Sequence, residues 1–311
     1  MSKRDFCSLI LPQRVRRRLQ EAGVENDDDL MAAGPSFAAE TTLVFERRRE
    51  TPVFKFDTAS DCLKRSESTQ RIATWVPSID ALLDGGIPRR KIIEVTGAAG
   101  TGKTQFCMQV AASNELSKKS TVYVDSKGGF TIARYREILE GTSRRQEWSG
   151  AMCGGDGGAG LRYALCDSWQ QLVAAVWLLP DRLRNCEAKE EVTLVVLDGF
   201  DFHLRNQLHD PRERKKVLSG LTQKLVEIAN CGAAVLVTNH LSMKPSHSDP
   251  SSLVIAPALG QGFGHECAYR ATFVGEDGLY KAIFYKAPTF GRTVVSFRIQ
   301  RDGIVEETDG F

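Results

Sequence analysis

Gly97-Ala98-Ala99-Gly100-Thr101-Gly102-Lys103-Thr104 is a glycine, four residues, then Gly-Lys-Thr, and its flanks decide how it is read. Before it, Lys91-Ile92-Ile93-Glu94-Val95-Thr96 has the run of a short buried strand. After it, Gln105 to Leu116 reads as a helix with Phe106, Val110 and Ala111 among its apolar positions. A strand, a tight turn and a helix start form a phosphate cradle. Glycines let the backbone bend so that successive N–H groups point at one anion, and the positive end of the helix dipole faces the same spot. In this reading Lys103 reaches the β- and γ-phosphates, and the Thr104 hydroxyl holds Mg2+.

Composition bounds the rest. A chain of 311 residues has room for one large domain and a small one. It is 42% hydrophobic and 26% charged, the balance of an ordinary globular protein. A net charge of +2 leaves any nucleic-acid contact to local basic patches. The eight cysteines form no Cys-x-x-Cys pair, which argues against zinc and suits reduced thiols in the cytosol or nucleus. Nothing resembles a signal peptide, and no apolar run is long enough to span a bilayer; the expectation is a soluble intracellular protein.

Three segments are expected. Residues 1–35 form a small helical region, with Val15, Leu19, Ala22 and Leu30 as its apolar face and Arg16 to Arg18 as a solvated one. Residues 36–70 read as a linker, inside which Val53 to Ala59 suits an extended segment added to another sheet edge. Residues 71–311 form the core. There Ser78 is the expected N-cap of a short helix stopped by Gly85-Gly86. Strands are expected at Thr121–Asp125, Tyr163–Leu165, Thr193–Asp198 and Ala233–Thr238, and helices at 132–140, 169–183 and 212–230. This alternation, with near-continuous apolar strands, predicts an α/β fold with a mostly parallel, doubly wound sheet. Tyr269–Val274, Leu279–Tyr285 and Val294–Gln300 read as antiparallel strands at the end. Asp198 closes an apolar strand, where a carboxylate holds the water shell of Mg2+ beside Thr104; the alternative is an Asp that merely starts a loop.

Ile79-Asp80-x-Leu82-Leu83-x-Gly85-Gly86-Ile87, Glu94-Val95-x-Gly97 and Gly102-Lys103-Thr104-Gln105 resemble the RecA-type recombinases of eukaryotes, the Rad-fifty-one family. The resemblance runs from about Phe56 to the C-terminus. Tyr123-Val124-Asp125-Ser126-x-Gly128-Gly129, Val237-Thr238-Asn239-His240 and Pro257-Ala258-Leu259-Gly260 are most similar to its D-type paralogue. The resemblance implies a RecA-like P-loop core that binds ATP and Mg2+ through Gly97, Ala98, Ala99, Gly100, Thr101, Gly102, Lys103, Thr104 and Gln105. It also implies a nuclear role in homologous recombination and double-strand break repair, with single-stranded DNA and other recombinase paralogues as partners.

Two departures from the family pattern bear on catalysis, to which the resemblance assigns Lys103, Asp198, Lys127 and His240. Active members usually carry a Glu where this chain has Lys127. A protonated ammonium cannot take a proton from water, so it attracts the γ-phosphate and favours retention of ATP, with weak, DNA-dependent hydrolysis. The alternative has Lys127 in solvent, with Asp125 or Asp201 serving instead. His240 stands where the family usually has a Gln that senses the γ-phosphate; the alternative is a His that caps its strand and meets solvent.

The family binds DNA through the loops after its fourth and fifth strands. That implies Arg205, Arg212, Arg214 and Lys215 in a loop from Phe200 to Lys216, and Lys244 in a long irregular loop from Leu241 to Gly262. Arg212 to Lys216 also reads as the solvated start of a helix. Phe56-Asp57-Thr58-Ala59 resembles the family's Phe-x-x-Ala motif, whose Phe and Ala, here Phe56 and Ala59, fill pockets on a neighbouring core. Lys286 to Phe290 corresponds to the segment that caps a neighbour's nucleotide. Two competing readings are a self-assembling DNA-dependent ATPase and a nucleotide-stabilised structural subunit without DNA activity of its own.

Overall fold

The computed structural model describes residues 12–37, 39–40, 44, 58–60, 71–148, 160–184, 191–245, 253–276 and 278–307. The chain divides into two compact units, Met1–Glu67 and Ser68–Phe311. In the first, α1 (Gln13–Glu21) and α2 (Asp27–Ala32) precede a 3-10 turn at Gly34–Phe37. Leu19, Val24, Leu30 and Val44 form its small core, with Val15 packed against it; Ala22, expected on that face, is exposed. Arg18 is not merely solvated: it bonds Ser36 O at 3.0 Å and lies 5.0 Å from the Phe37 ring centroid.

The second unit begins with α3 (Pro77–Leu82). Ser78 is not its N-cap. Val76 holds the cap position and Pro77 the first turn, where its missing N–H costs nothing. The Ser78 N–H instead donates to Glu306, 2.9 Å away. Then follow β1 (Ile92–Gly97), α4 (Lys103–Leu116), β2 (Ser120–Asp125), α5 (Ile132–Trp148), β3 (Leu161–Leu165), α6 (Trp169–Arg184) and β4 (Val192–Asp198). The chain continues with α7 (Phe202–Gln207), α8 (Pro211–Asn230), β5 (Ala234–Pro245), β6 (Leu253–Pro257), α9 (Gly260–Glu266), β7 (Tyr269–Glu276), β8 (Leu279–Lys286), β9 (Thr293–Gln300) and β10 (Gly303–Glu306). The sheet order is β10-β9-β8-β7-β1-β5-β4-β2-β3, with β6 paired to β5.

From β3 to β7 every neighbouring pair is parallel, and β7 to β10 are antiparallel. The last strands are therefore antiparallel to one another, but β7 itself runs parallel to β1. It is reached by a crossover through β6 and α9, the long connection that parallel pairing requires. Alternate residues of each central strand feed opposite faces. Leu194, Val196 and Leu236 pack with Phe106, Val110 and Ile138 on one side. Val195, Leu197, Val235 and Val237 pack with Val176, Leu221 and Leu225 on the other. Both faces are covered, which is why β1 and β4 are buried along their whole length.

α5 continues past the expected stop at Glu140. Gly141 serves there as a contact residue: a Cβ would sit 2.4 Å from Asp302 O. Arg145, one turn on, ties the helix to Ile304 O at 2.8 Å.

The helix expected at 212–230 is present, with Arg212 to Lys216 as its start, while the rest of the expected loops after β4 and β5 is corrected. Residues 202–207 and 211–230 are helical, the second capped by Asp210, which accepts the Arg212 N–H at 2.9 Å. β5 extends to Pro245 and pairs antiparallel with β6, Leu241 opposite Pro257 through Pro245 opposite Leu253; a turn and α9 follow. Local polarity hid both, because short polar residues serve helix caps as readily as loops.

Candidate nucleotide cleft

The site forms where parallel strands end, the usual location of ligands in such sheets. Gly97 on β1 stands in register with His240 on β5, and Asp125 on β2 with Asp198 on β4. These ends converge on a cleft of about 380 Å³ lined by Ala99 to Gln105, Lys127, Gly129, Asp198, Thr238, His240 and Ile299.

The loop from Gly97 to Lys103 is shaped by close approach. A Cβ on Gly97 would lie 2.5 Å from Phe273 O. Gly102 caps α4 at φ +87°, a left-handed conformation, and a Cβ there would meet Ile299 Cδ1 at 2.8 Å. Lys103 is buried and folds back: its Nζ donates to Gly97 O at 2.9 Å and Ala98 O at 2.6 Å. Burial lowers its pKa; the nearby Asp198 charge opposes that shift and the Lys127 charge adds to it.

Asp198, also buried, is fixed by two hydroxyls. Tyr123 Oη donates to Oδ2 at 2.9 Å and Thr238 Oγ1 to Oδ1 at 2.6 Å. Thr238 Oγ1 in turn accepts the Gly199 N–H at 2.7 Å. Burial first, then the Asp198 charge, pushes the Tyr123 phenol well above its ordinary value, so it stays a donor. The cleft thus offers a carboxylate, a hydroxyl at Thr104, an ammonium and a glycine-rich backbone turn at the start of α4. Oxygen ligands of this kind suit Mg2+ shared with phosphates rather than a cage made of protein alone. Among the described residues, no three His, Cys, Asp or Glu side chains converge as a metal centre.

Lys127 lies on the cleft wall with its Nζ 3.2 Å from His240 Nε2. Asp125 is occupied elsewhere. Its Oδ1 accepts the N–H groups of Lys127 (2.8 Å) and Gly128 (3.0 Å), and its Oδ2 accepts those of Phe130 (2.9 Å) and the Tyr163 hydroxyl (3.3 Å). Asp201 is wholly buried and faces His240 Nδ1 at 2.7 Å and Arg205 at 3.2 Å. Burial pushes its carboxyl up, but the hydrogen bonds from His240 and Arg205 outweigh it, and the net pKa is lowered.

The basic residues considered for DNA do not gather at this cleft. Arg205 is drawn to Asp201, and Arg212 sits in the first turn of α8. Arg214 and Lys215 line a separate groove of about 700 Å³ between α8 and α9, with Leu218, Leu259 and Phe263. Lys244 lies on β5 opposite Val254. Ala59 is exposed, and Phe56 lies outside the described residues. Lys286 is engaged within its own core, donating to Gly264 O and His265 O at 2.9 Å each. The residues that sequence reasoning missed are Tyr123 and Thr238, which hold Asp198, and Ile299, which closes the cleft from β9. Thr238 lies inside a quoted motif, but nothing local signals Ile299, nearly two hundred residues downstream of the loop it touches.

A family model described as ATPase: KaiC matches residues 72–127, the stretch from the start of the core through β1, α4 and β2. The chain is 29% identical to DNA repair protein RAD51 homolog 3 of Cricetulus griseus, over 97% of this chain and 92% of that protein. It is 28% identical to DNA repair protein RAD51 homolog 4 of Bos taurus, over 81% and 79%. To DNA repair and recombination protein RadA of Aeropyrum pernix it is 25% identical, over 80% of each. The second unit is a RecA-like ATPase core, and its family type implies nucleotide binding. The identities to homologs 3 and 4 differ by one percentage point, but the match to homolog 3 covers more of both chains.

Proposed function

We propose that this protein binds Mg·ATP in the cleft and hydrolyses it weakly, as a nuclear recombinase-paralogue of the D type that works with single-stranded DNA and partner paralogues in recombinational repair. The observation that carries the weak turnover is the chemistry at Lys127. Of the cleft-lining residues, Asp198 alone is a carboxylate, and in this reading it serves the metal rather than the attacking water. Asp125 and Asp201, the alternative bases, spend their oxygens on a turn and on the His240–Arg205 pair. Lys103, Thr104 and Asp198 would hold the phosphates and metal, and Mg2+ would supply charge neutralisation at the phosphates.

For DNA, the β5–β6 hairpin supports the reading better than the helical arginines. Met243 and Ile255 stand opposite each other and are 71% and 70% exposed, apolar surface suited to unstacked bases. For partners, β3 is one edge of the sheet among the described residues, with Tyr163 and Leu165 exposed on it, and a segment of the kind expected around Phe56 could add there.

Steady-state hydrolysis with and without oligothymidylate tests the enzymatic claim. Turnover should be slow in both, and Lys127→Glu should raise it about tenfold, a fraction of what a fully positioned base supplies. Oligothymidylate should bind, and should bind more weakly once Met243 and Ile255 become Asp. Vigorous turnover by the unmodified protein points instead to a self-sufficient recombinase; absent DNA binding points to a structural subunit. At the sheet edge, Leu165→Arg should abolish association with a partner paralogue in pull-down, and unchanged capture removes β3 as the interface.

A further inference from the structure

Three side chains from three different connections meet at one wall of the cleft. Lys127 follows β2, Asp201 follows β4, and His240 stands within β5 where it leaves the parallel sheet. Asp201 has no exposed surface, and each of its oxygens is assigned. Oδ1 accepts the backbone N–H of His240 at 3.1 Å and faces Nδ1 of the same residue at 2.7 Å; Oδ2 accepts from Arg205 at 3.2 Å. A carboxylate has only acceptors and an ammonium only donors. Placed between them, the imidazole must donate from Nδ1 to Asp201 and accept at Nε2 from Lys127.

The rest of the Lys127 environment aims the ammonium without neutralising it. Its stem crosses Gly199, where a Cβ would lie 3.0 Å from Lys127 Cγ; any other residue after Asp198 would displace it. Its Nζ lies 5.5 Å from the Phe202 ring centroid, a contact that holds a cation but does not cancel its charge. Across the cleft, the buried Lys103 already carries a second ammonium, and the lowered pKa there includes a contribution from the Lys127 charge. The wall is therefore set for an anion that reaches beyond the groups held by Lys103.

We propose that Asp201 and His240 are positioning residues that park the Lys127 ammonium at the cleft, and that Lys127 then closes on the terminal phosphate, so that the site selects nucleoside triphosphate over diphosphate. This rests on the nucleotide reading of the cleft. His240 acts through Lys127: it supplies the acceptor that keeps the ammonium in place until a phosphate oxygen takes over. Asp201 acts one step further back, by fixing which imidazole nitrogen faces Lys127.

Isothermal titration with Mg·ADP and with the non-hydrolysable triphosphate Mg·AMP-PNP tests the proposal. The unmodified protein should prefer the triphosphate. Lys127→Ala should reduce that preference by about tenfold or more, the loss of one charge-assisted contact, with diphosphate affinity changed less than about threefold. Lys127→Arg should keep most of the preference. His240→Ala, at a partly exposed position, and Asp201→Asn should each reduce it about threefold to tenfold. In the Lys127→Ala background His240→Ala should add nothing, because it acts through the missing ammonium. An unchanged preference in Lys127→Ala, equal losses for both nucleotides, or a further independent loss on removing His240 would overturn the proposal. Equal binding of both nucleotides by the unmodified protein refutes the clamp alone; binding of neither refutes the nucleotide reading beneath it.

Discussion

Lys103→Ala is expected to lower Mg·ATP affinity by about a hundredfold or more while leaving the protein folded. The two halves of that expectation come from the same geometry. Lys103 is buried, and its ammonium rests on the carbonyls of Gly97 and Ala98, which are partial charges and not a full counter-ion. A phosphate offers that counter-ion, and one or two charge-assisted hydrogen bonds of about 1.5–3 kcal/mol each account for the loss. The fold should tolerate the change for a reason of sign. Burial holds the Lys103 pKa below its ordinary 10.5, so the folded state carries a charge penalty at neutral pH. That penalty would lift only as pH rises through the lowered value toward the unfolded one. Alanine removes the penalty along with the two hydrogen bonds. A thermal melt separates the effects: without nucleotide the variant should unfold near the unmodified protein. With Mg·ATP at about 100 times the original Kd, the stabilisation of about 2.7 kcal/mol should fall to about 0.4 kcal/mol or less. A variant that keeps the full stabilisation by Mg·ATP would place the nucleotide elsewhere.

What the sequence disclosed follows from how local each feature is. The phosphate loop, its strand and its helix are contiguous, so Gly97 to Leu116 could be read directly. β1, β2, β4 and β5 are apolar runs because both sheet faces are covered, and Asp198 was legible as the residue that ends one of them. The features that were missed depend on distant partners. Gly141 reads as a helix stop until Asp302 is seen against it. Ser78 reads as a cap until Glu306 claims its N–H. β7 gives no hint in its own residues that it will lie parallel to β1, because only the crossover decides that. The helix over 212–230 was expected and is capped by Asp210; residues 202–207 and the segment after β5 looked like loops, but the first is helical and strand pairing organises the second. The cleft wall at Lys127 falls between these cases. Lys127, His240 and Asp201 were each singled out from the sequence, but not their mutual contacts or the burial of Asp201 behind His240.

The placement of the cleft also depends on a buried charge that takes no part in it. Glu94, three residues before Gly97, has no exposed surface in the middle of the sheet. On one side its Oε1 accepts from Asn239 Nδ2 at 2.7 Å, and on the other its Oε2 accepts from Arg270 Nε. These contacts tie β5, β1 and β7 together directly beneath the phosphate loop. Arg270 is held in turn by the Tyr285 ring, with its guanidinium 5.1 Å from the centroid, and by the absence of a side chain at Gly264, where a Cβ would lie 2.2 Å from Nη1.

Arg270→Met should therefore cost about 3–5 kcal/mol of stability, since it leaves Glu94 charged and unpaired in the sheet. Gly264 leaves the space that the guanidinium occupies, since a Cβ there would clash with it. Removing both charges is a different experiment. Glu94→Leu combined with Arg270→Met eliminates the orphaned carboxylate, and replacing a buried ion pair with apolar residues is often close to neutral. The double variant should recover most of the loss, leaving mainly the unpaired Asn239 amide. Urea unfolding of the unmodified protein, the two single variants and the double variant measures the coupling between the positions. A cost below about 1 kcal/mol for Arg270→Met would mean that water reaches Glu94 and that the pair does not hold the strands in place. If the cost is large and the double variant recovers, the pair sets the alignment of β1 with its neighbours, and the cradle that begins at Gly97 inherits its position from it.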